Sequence, residues 1–151
     1  MNSAKLAGLS IALLLIFTSA GIGEARQLFL NIYVTDTNMK KALVVGDVDD
    51  PESLPFLNSS DHIYEENGQL YAVTDSLLEE SDQGWRLKFA PSGYYDEYHA
   101  VFYIPGNFEL TEINCSEGLE FLSSTYNGSI VLDVQGFDLT DPVVSLSYIA
   151  A

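Results

Sequence analysis

The sequence predicts an all-β fold: a single antiparallel β-sandwich of about 8–10 short strands behind an N-terminal signal peptide. Three observations carry that prediction. Apolar residues alternate with period two in run after run, and no long amphipathic helix appears. Turn residues recur at roughly ten-residue spacing, with Asn67-Gly68 and Asn127-Gly128 as the clearest hairpin signals. The 151 residues provide for one core and not for two.

The first 25 residues read as a segment apart from that core. Met1 to Lys5 is a short, weakly basic start, Leu6 to Phe17 (LAGLSIALLLIF) is largely apolar, and small residues follow in TSAGIGEA. This is the three-part plan of a secretory signal. A spanning helix needs about 20 apolar residues, so a cleaved signal is expected rather than an anchor. Thr18 with Ala20, or Gly23 with Ala25, suit the cleavage positions, and no Leu-x-x-Cys lipid-attachment pattern lies nearby. The domain is expected to span 26–151.

Within it, LFLNIYV (28–34) alternates, with Leu28, Leu30, Ile32 and Val34 on one face. After a turn at Asp36–Met39, KALVVGDV (41–48) reads as a second strand. Two prolines and clustered polar residues make 48–61 a long loop with one helical turn. The hairpin HIYEENGQLYAV (62–73) follows. A two-residue turn there sets Tyr64 opposite Tyr71 and Ile63 opposite Ala72. SLLEESDQG (76–84) suggests a turn of helix too short to stand alone.

In WRLKFA (85–90), Trp85, Leu87 and Phe89 point inward, Arg86 and Lys88 outward. PSGYYDE reads as an aromatic loop before a strand at 98–105. Weaker strands are expected at 108–113 and 119–126, then SIVLDVQG (129–136) and VVSLSYI (143–149). The last strand ends close to the final residue, with no apolar stretch after it, so no C-terminal anchor is expected and no membrane span in the mature chain.

Charge excludes more than it identifies. Six Lys and Arg face 22 Asp and Glu, a net charge of −16, and cleavage after Ala20, which removes Lys5 and no acid, makes the mature chain one unit more negative. From Phe89 to Ala151 there is no Lys or Arg. Such a surface repels phosphate backbones and anionic lipids, so nucleic acid is not an expected partner. Cys115 is the one cysteine, so no internal disulfide forms and the fold rests on its core. A buried, inert thiol is expected there.

Catalytic patterns are missing. His62 and His99 are the two imidazoles; each lies in a strand, and neither accompanies a nucleophile elbow or a zinc-binding helix. No enzyme activity and no cofactor are expected. The loop DVDDPESLP (47–55) offers Asp47, Asp49, Asp50 and Glu52 as hard oxygen donors. Its spacing fails the calcium-loop pattern, since proline follows the third aspartate and no glycine makes the tight turn, so a solvated acidic loop without metal is expected. Asn58, Asn114 and Asn127 head Asn-x-Ser triplets, which makes them candidate glycosylation sites in a secreted chain. Tyr94 and Tyr95, adjacent in a loop, are the candidate partner-binding pair.

Taken together, ALVVGDVDDPESLPFL, YEENGQLYAVTDSL, GWRLKF, VFYIPGNFELTEI and DPVVSLSYI resemble the extracytoplasmic N-terminal domains of archaeal membrane proteins. In some of those a transmembrane helix and a cytoplasmic winged-helix regulator follow. The resemblance covers most of 28–149 and implies a β-rich sensor or surface domain. Neither the membrane helix nor the DNA-binding part is found here, so transcriptional control is not carried over. The expectation is a non-enzymatic, secreted or cell-surface β-sandwich, a glycoprotein that binds a protein or glycan partner. A calcium-stabilised carbohydrate-binding module and a degenerate hydrolase are the alternatives.

Overall fold

The computed structural model describes residues 26–35, 40–60 and 62–151. The expected signal peptide and the turn at 36–39 lie outside the described residues. The rest is all-β: eleven strands in two sheets, with two short 3₁₀ turns, Pro51–Ser53 and Pro55–Ser59, where the proline-rich loop was expected.

The strands are β1 Gln27–Val34, β2 Ala42–Val48, β3 His62–Glu66, β4 Gln69–Thr74, β5 Leu78–Ser81 and β6 Gly84–Phe89, followed by β7 Tyr94–Ile104, β8 Phe108–Cys115, β9 Glu120–Tyr126, β10 Ser129–Thr140 and β11 Val144–Ala150. One sheet has seven strands in the order β3-β4-β2-β1-β7-β10-β9; the other has four, β5-β6-β11-β8.

Local chemistry accounts for the hairpins. Asn67 and Gly68 both take positive φ (53° and 81°), as do Asn127 and Gly128 (49° and 78°). Two successive positive φ values match the twist of the flanking strands. In the first hairpin Tyr64 faces Tyr71 and Ile63 faces Ala72, the register read from the sequence.

Three elements differ from expectation. The stretch expected to make a helical turn holds β5 instead, pairing Leu78 with Leu87 and Ser81 with Gly84. A segment that short gains little from helix nucleation, whereas the neighbouring strand satisfies its backbone at once. β7 begins at Tyr94, inside the expected aromatic loop. And the large sheet is not wholly antiparallel: β1 runs parallel to β7, Gln27 beside Glu97 through Tyr33 beside Tyr103.

Leu28, Leu30, Ile32 and Val34 are all buried, as their alternation requires. Phe89, on the smaller sheet, reaches across to β7: its ring lies 6.4 Å from Tyr98 and 6.1 Å from Phe102, and 6.2 Å from Phe56 on the second 3₁₀ turn. Burying a ring of this size stabilises a fold by about 1.5–3 kcal/mol. The Tyr98 hydroxyl finds no hydrogen-bond partner among the described residues, and burial raises its pKa well above the usual tyrosine value.

Four strands cannot cover seven. Ile63 faces fully buried Ala72 yet is 50% exposed, and Phe121 faces fully buried Val134 yet is 49% exposed. Both belong to the sheet's two edges, β3 and β9, which extend past the smaller sheet.

Candidate functional site

The outward face of the seven-stranded sheet is where large apolar side chains meet solvent. Along β1, the residues between the buried ones are Phe29, Asn31 and Tyr33, and both rings are exposed. An outward face ordinarily carries polar residues. Here the register assembles rings from separate strands. One row runs Tyr64–Tyr71–Val45–Asn31 and on through Val101 and Asp133 to Leu122. The next carries Val73, Leu43, Tyr33, Tyr103 and Val131. Tyr64 (58% exposed) and Leu122 (72%) stand at opposite ends of the first row.

These side chains are mutually ordered. Tyr33 and Tyr103 stack with centroids 4.5 Å apart and planes 11° from parallel. The Tyr103 hydroxyl donates to Asn31 Oδ1 at 3.4 Å, and burial of the phenol raises its pKa. Phe29 meets His99 edge to face at 4.6 Å. His99 Nε2 lies 2.7 Å from Asp133 Oδ1, to which the Gln135 amide also donates at 3.2 Å. The Tyr64 hydroxyl donates to Glu66, which raises its pKa.

A depression of about 280 Å³ opens on this face between Phe29, His99, Asp47, Asp49 and Glu97. A second, of about 310 Å³, lies beside it against Tyr64, Tyr71 and Val45, sharing Asp47. No strand of this sheet contains a Lys or Arg, whereas its exposed positions include Glu66, Asp47, Glu97 and Glu120. The two cations within strands, Arg86 and Lys88, are on β6 of the other sheet.

The acidic loop has a different occupation from the one its composition suggests. Arg26 Nη1 bonds Asp50 Oδ2 at 2.6 Å, its Nε donates to the Tyr94 carbonyl at 2.9 Å, and its guanidinium lies 5.2 Å from the Tyr95 ring centroid. Asp49 Oδ2 accepts the Gln27 amide at 2.9 Å, and Asp96 Oδ2 accepts the Arg26 amide at 2.7 Å. Asp49 and Asp50 thus fasten the start of β1. Among the described residues no group of three His, Cys, Asp or Glu is placed to hold a metal ion.

The structure separates the tyrosine pair. Tyr95 is fully buried with its hydroxyl against Ser53, and burial is the main cause of its raised pKa. Tyr94 is exposed, but its hydroxyl donates to Asp138 at 2.6 Å and to Asp96, bonds that raise its pKa strongly. Neighbours in an extended strand point to opposite sides, so the two rings form no common platform. Asn58, Asn114 and Asn127 are all exposed: Asn58 on a 3₁₀ turn, Asn127 at a hairpin tip, and Asn114 on β8 with its amide donating to Glu112 at 2.6 Å. Cys115 is half-buried at the end of β8, and burial raises its thiol pKa. His62 opens β3.

Comparison with family models, curated proteins and solved structures returns no match.

The outward face was missed by sequence reasoning, although its signal was present. Both faces of QLFLNIYV are apolar, and the reading used one of them. Only the strand order sets Tyr33 beside Tyr103 and Phe29 beside His99, with Tyr71 one strand beyond β2 on the same face, so the surface is not contiguous in the sequence.

Proposed function

We propose that this protein is a non-enzymatic, secreted or cell-surface β-sandwich whose outward seven-stranded face binds a partner. In this reading the two sheets form one sandwich, closed by Phe89 against Phe102. The kinship with extracytoplasmic domains of archaeal membrane proteins belongs to the same proposal, as does a glycan at Asn58 or Asn127. The observation that carries the function is the exposure of Phe29, Tyr33, Tyr64, Tyr71 and Leu122 on one face of the seven-stranded sheet. Contiguous exposed apolar patches mark interaction surfaces, and aromatic residues are enriched where proteins meet.

His99 is held by Asp133 and meets Phe29 edge to face, which makes it part of the ring-bearing surface. Its register neighbours are Phe29 and Gln135. The carbohydrate alternative rested on a calcium loop and on Tyr94-Tyr95. Asp50 is bonded to Arg26, and Tyr95 is buried.

The test compares wild type with a Phe29→Thr, Tyr71→Thr variant for retention on cell-envelope material from the source organism. Retention of the wild type, lost in a variant that melts at the same temperature, supports the reading. Equal retention of both contradicts it.

A further inference from the structure

We propose that the partner presents a cationic protein segment, with a Lys or Arg side chain seated in the depression between Phe29, His99, Asp47 and Glu97. This rests on the docking role of the outward face and specifies its chemistry.

Charge complementarity favours such a segment. Seven strands carry no Lys or Arg, Asp47 pairs with Phe29 on their outward side, and Glu97 lines the same depression. A carboxylate beside an aromatic ring recognises an ammonium or guanidinium twice, by Coulomb attraction and through the ring's negative face. The same arrangement already works inside this molecule, where Arg26 sits between Asp50 and the Tyr95 ring.

Other occupants suit the surface less. A second copy offering the same face would bring two acidic sheet faces without a Lys or Arg in any strand together, and like charges brought together oppose docking. Anionic lipid and nucleic acid are repelled for the same reason. A metal ion needs donors converging on one point, and the carboxylates here do not converge among the described residues. The Tyr33–Tyr103 stack takes one face of each of those rings from a sugar platform. A side chain that is long, thin and positive fits a depression of about 280 Å³ lined by Phe29 and three carboxylates.

The test uses a capped peptide alternating lysine and valine, with a serine–valine peptide as the neutral match. Affinity is measured by calorimetry at physiological ionic strength, where a Debye length of about 8 Å suppresses the molecule's distant charges. Asp47→Asn with Glu97→Gln removes two charges without changing shape. Glu109→Gln with Glu112→Gln removes two from β8 of the other sheet. The proposal expects the first pair to weaken lysine-peptide binding by about tenfold and the second to change it little.

Equal weakening by both pairs would mean attraction to net charge alone and overturns the proposal. Equal affinity for the neutral peptide, lost in Phe29→Thr with Tyr71→Thr, overturns the cationic partner and leaves the face intact. Binding of a chito- or cello-oligosaccharide at Phe29 and Tyr71 in place of the lysine peptide does the same. Lysine-peptide binding indifferent to Phe29 and Tyr71 removes both the partner and the face.

Discussion

Replacing Arg26 by alanine tests the finding that the acidic loop is a clamp for the chain's first strand. Four interactions go at once: the 2.6 Å bond to Asp50, the 2.9 Å bond to the Tyr94 carbonyl, a long 3.4 Å bond to the Ser92 carbonyl, and the contact over Tyr95. The Arg26 and Asp50 side chains are 26% and 38% exposed, so water screens the pair only in part. A hydrogen bond involving a charged group contributes about 1.5–3 kcal/mol net, and a partly exposed cation–π contact about 0.5–1.

The lower end of each range applies to a rim position, giving a loss of about 2 kcal/mol. For a domain of this size that lowers the melting temperature by roughly 6–10 °C. Circular dichroism melts of wild type, Arg26→Ala, Asp50→Asn and the double variant form a cycle whose coupling should reach about 1 kcal/mol. Arg26→Lys keeps the charge but loses the fork and should fall between. Millimolar calcium should add no more stability than magnesium at equal ionic strength, because Asp50 is already engaged. A shift below about 2 °C for Arg26→Ala, or a calcium-specific rise in the wild type, would refute the clamp.

Further expectations follow from single residues. A Cβ on Gly46 would stand 2.1 Å from the Phe29 carbonyl oxygen, at a φ of 154°, so Gly46→Ala should lower stability by about 3 kcal/mol or more, read by urea denaturation; an unchanged midpoint would contradict the β1–β2 register. Tyr98→Phe removes a buried hydroxyl without a partner among the described residues and should leave the protein equally stable or raise its stability by up to about 1–3 kcal/mol, measured the same way; a clear loss would reveal a partner.

Alkaline pH should destabilise. Burial pushes the Tyr148 pKa up to about 12 and that of Tyr98 well above its usual value. The unfolded chain therefore releases these protons first. Stability is full below the ordinary tyrosine pKa of about 10 and falls above it by up to about 1.4 kcal/mol per pH unit for each tyrosine. The 295 nm absorbance difference between wild type and the Tyr98→Phe, Tyr148→Phe variant should stay flat through pH 10 while the protein is folded; a step in that difference near pH 10 would contradict the burial of the two phenols.

How much of this was legible depended on distance along the chain. The Tyr64–Tyr71 and Ile63–Ala72 pairs were readable because a two-residue turn sets its own register. Leu87 and Phe89 turned inward as alternation alone requires. The parallel pairing of Asn31 with Val101 joins residues far apart, and nothing local marks it. Parallel neighbours arise from the global packing of crossovers, not from a turn. Arg26 was counted as one cation against 22 acids, while its partners Asp50 and Tyr94 come from two different segments. Tyr94 and Tyr95 illustrate the converse: adjacency in a supposed loop suggested a shared surface, and β7's early start sent one ring into the core.

Site-specific photo-crosslinking tests the central claim most directly, that the outward seven-stranded face is the binding surface. A photoreactive phenylalanine derivative at Tyr64, Tyr71 or Leu122 samples that face, and one at Arg86 or Thr111 samples the other sheet. Irradiation on native cell-envelope material should give one discrete adduct from each of the first three positions and none from the last two. The same adduct from Arg86 and Thr111, with none from Tyr64, Tyr71 or Leu122, would contradict the account.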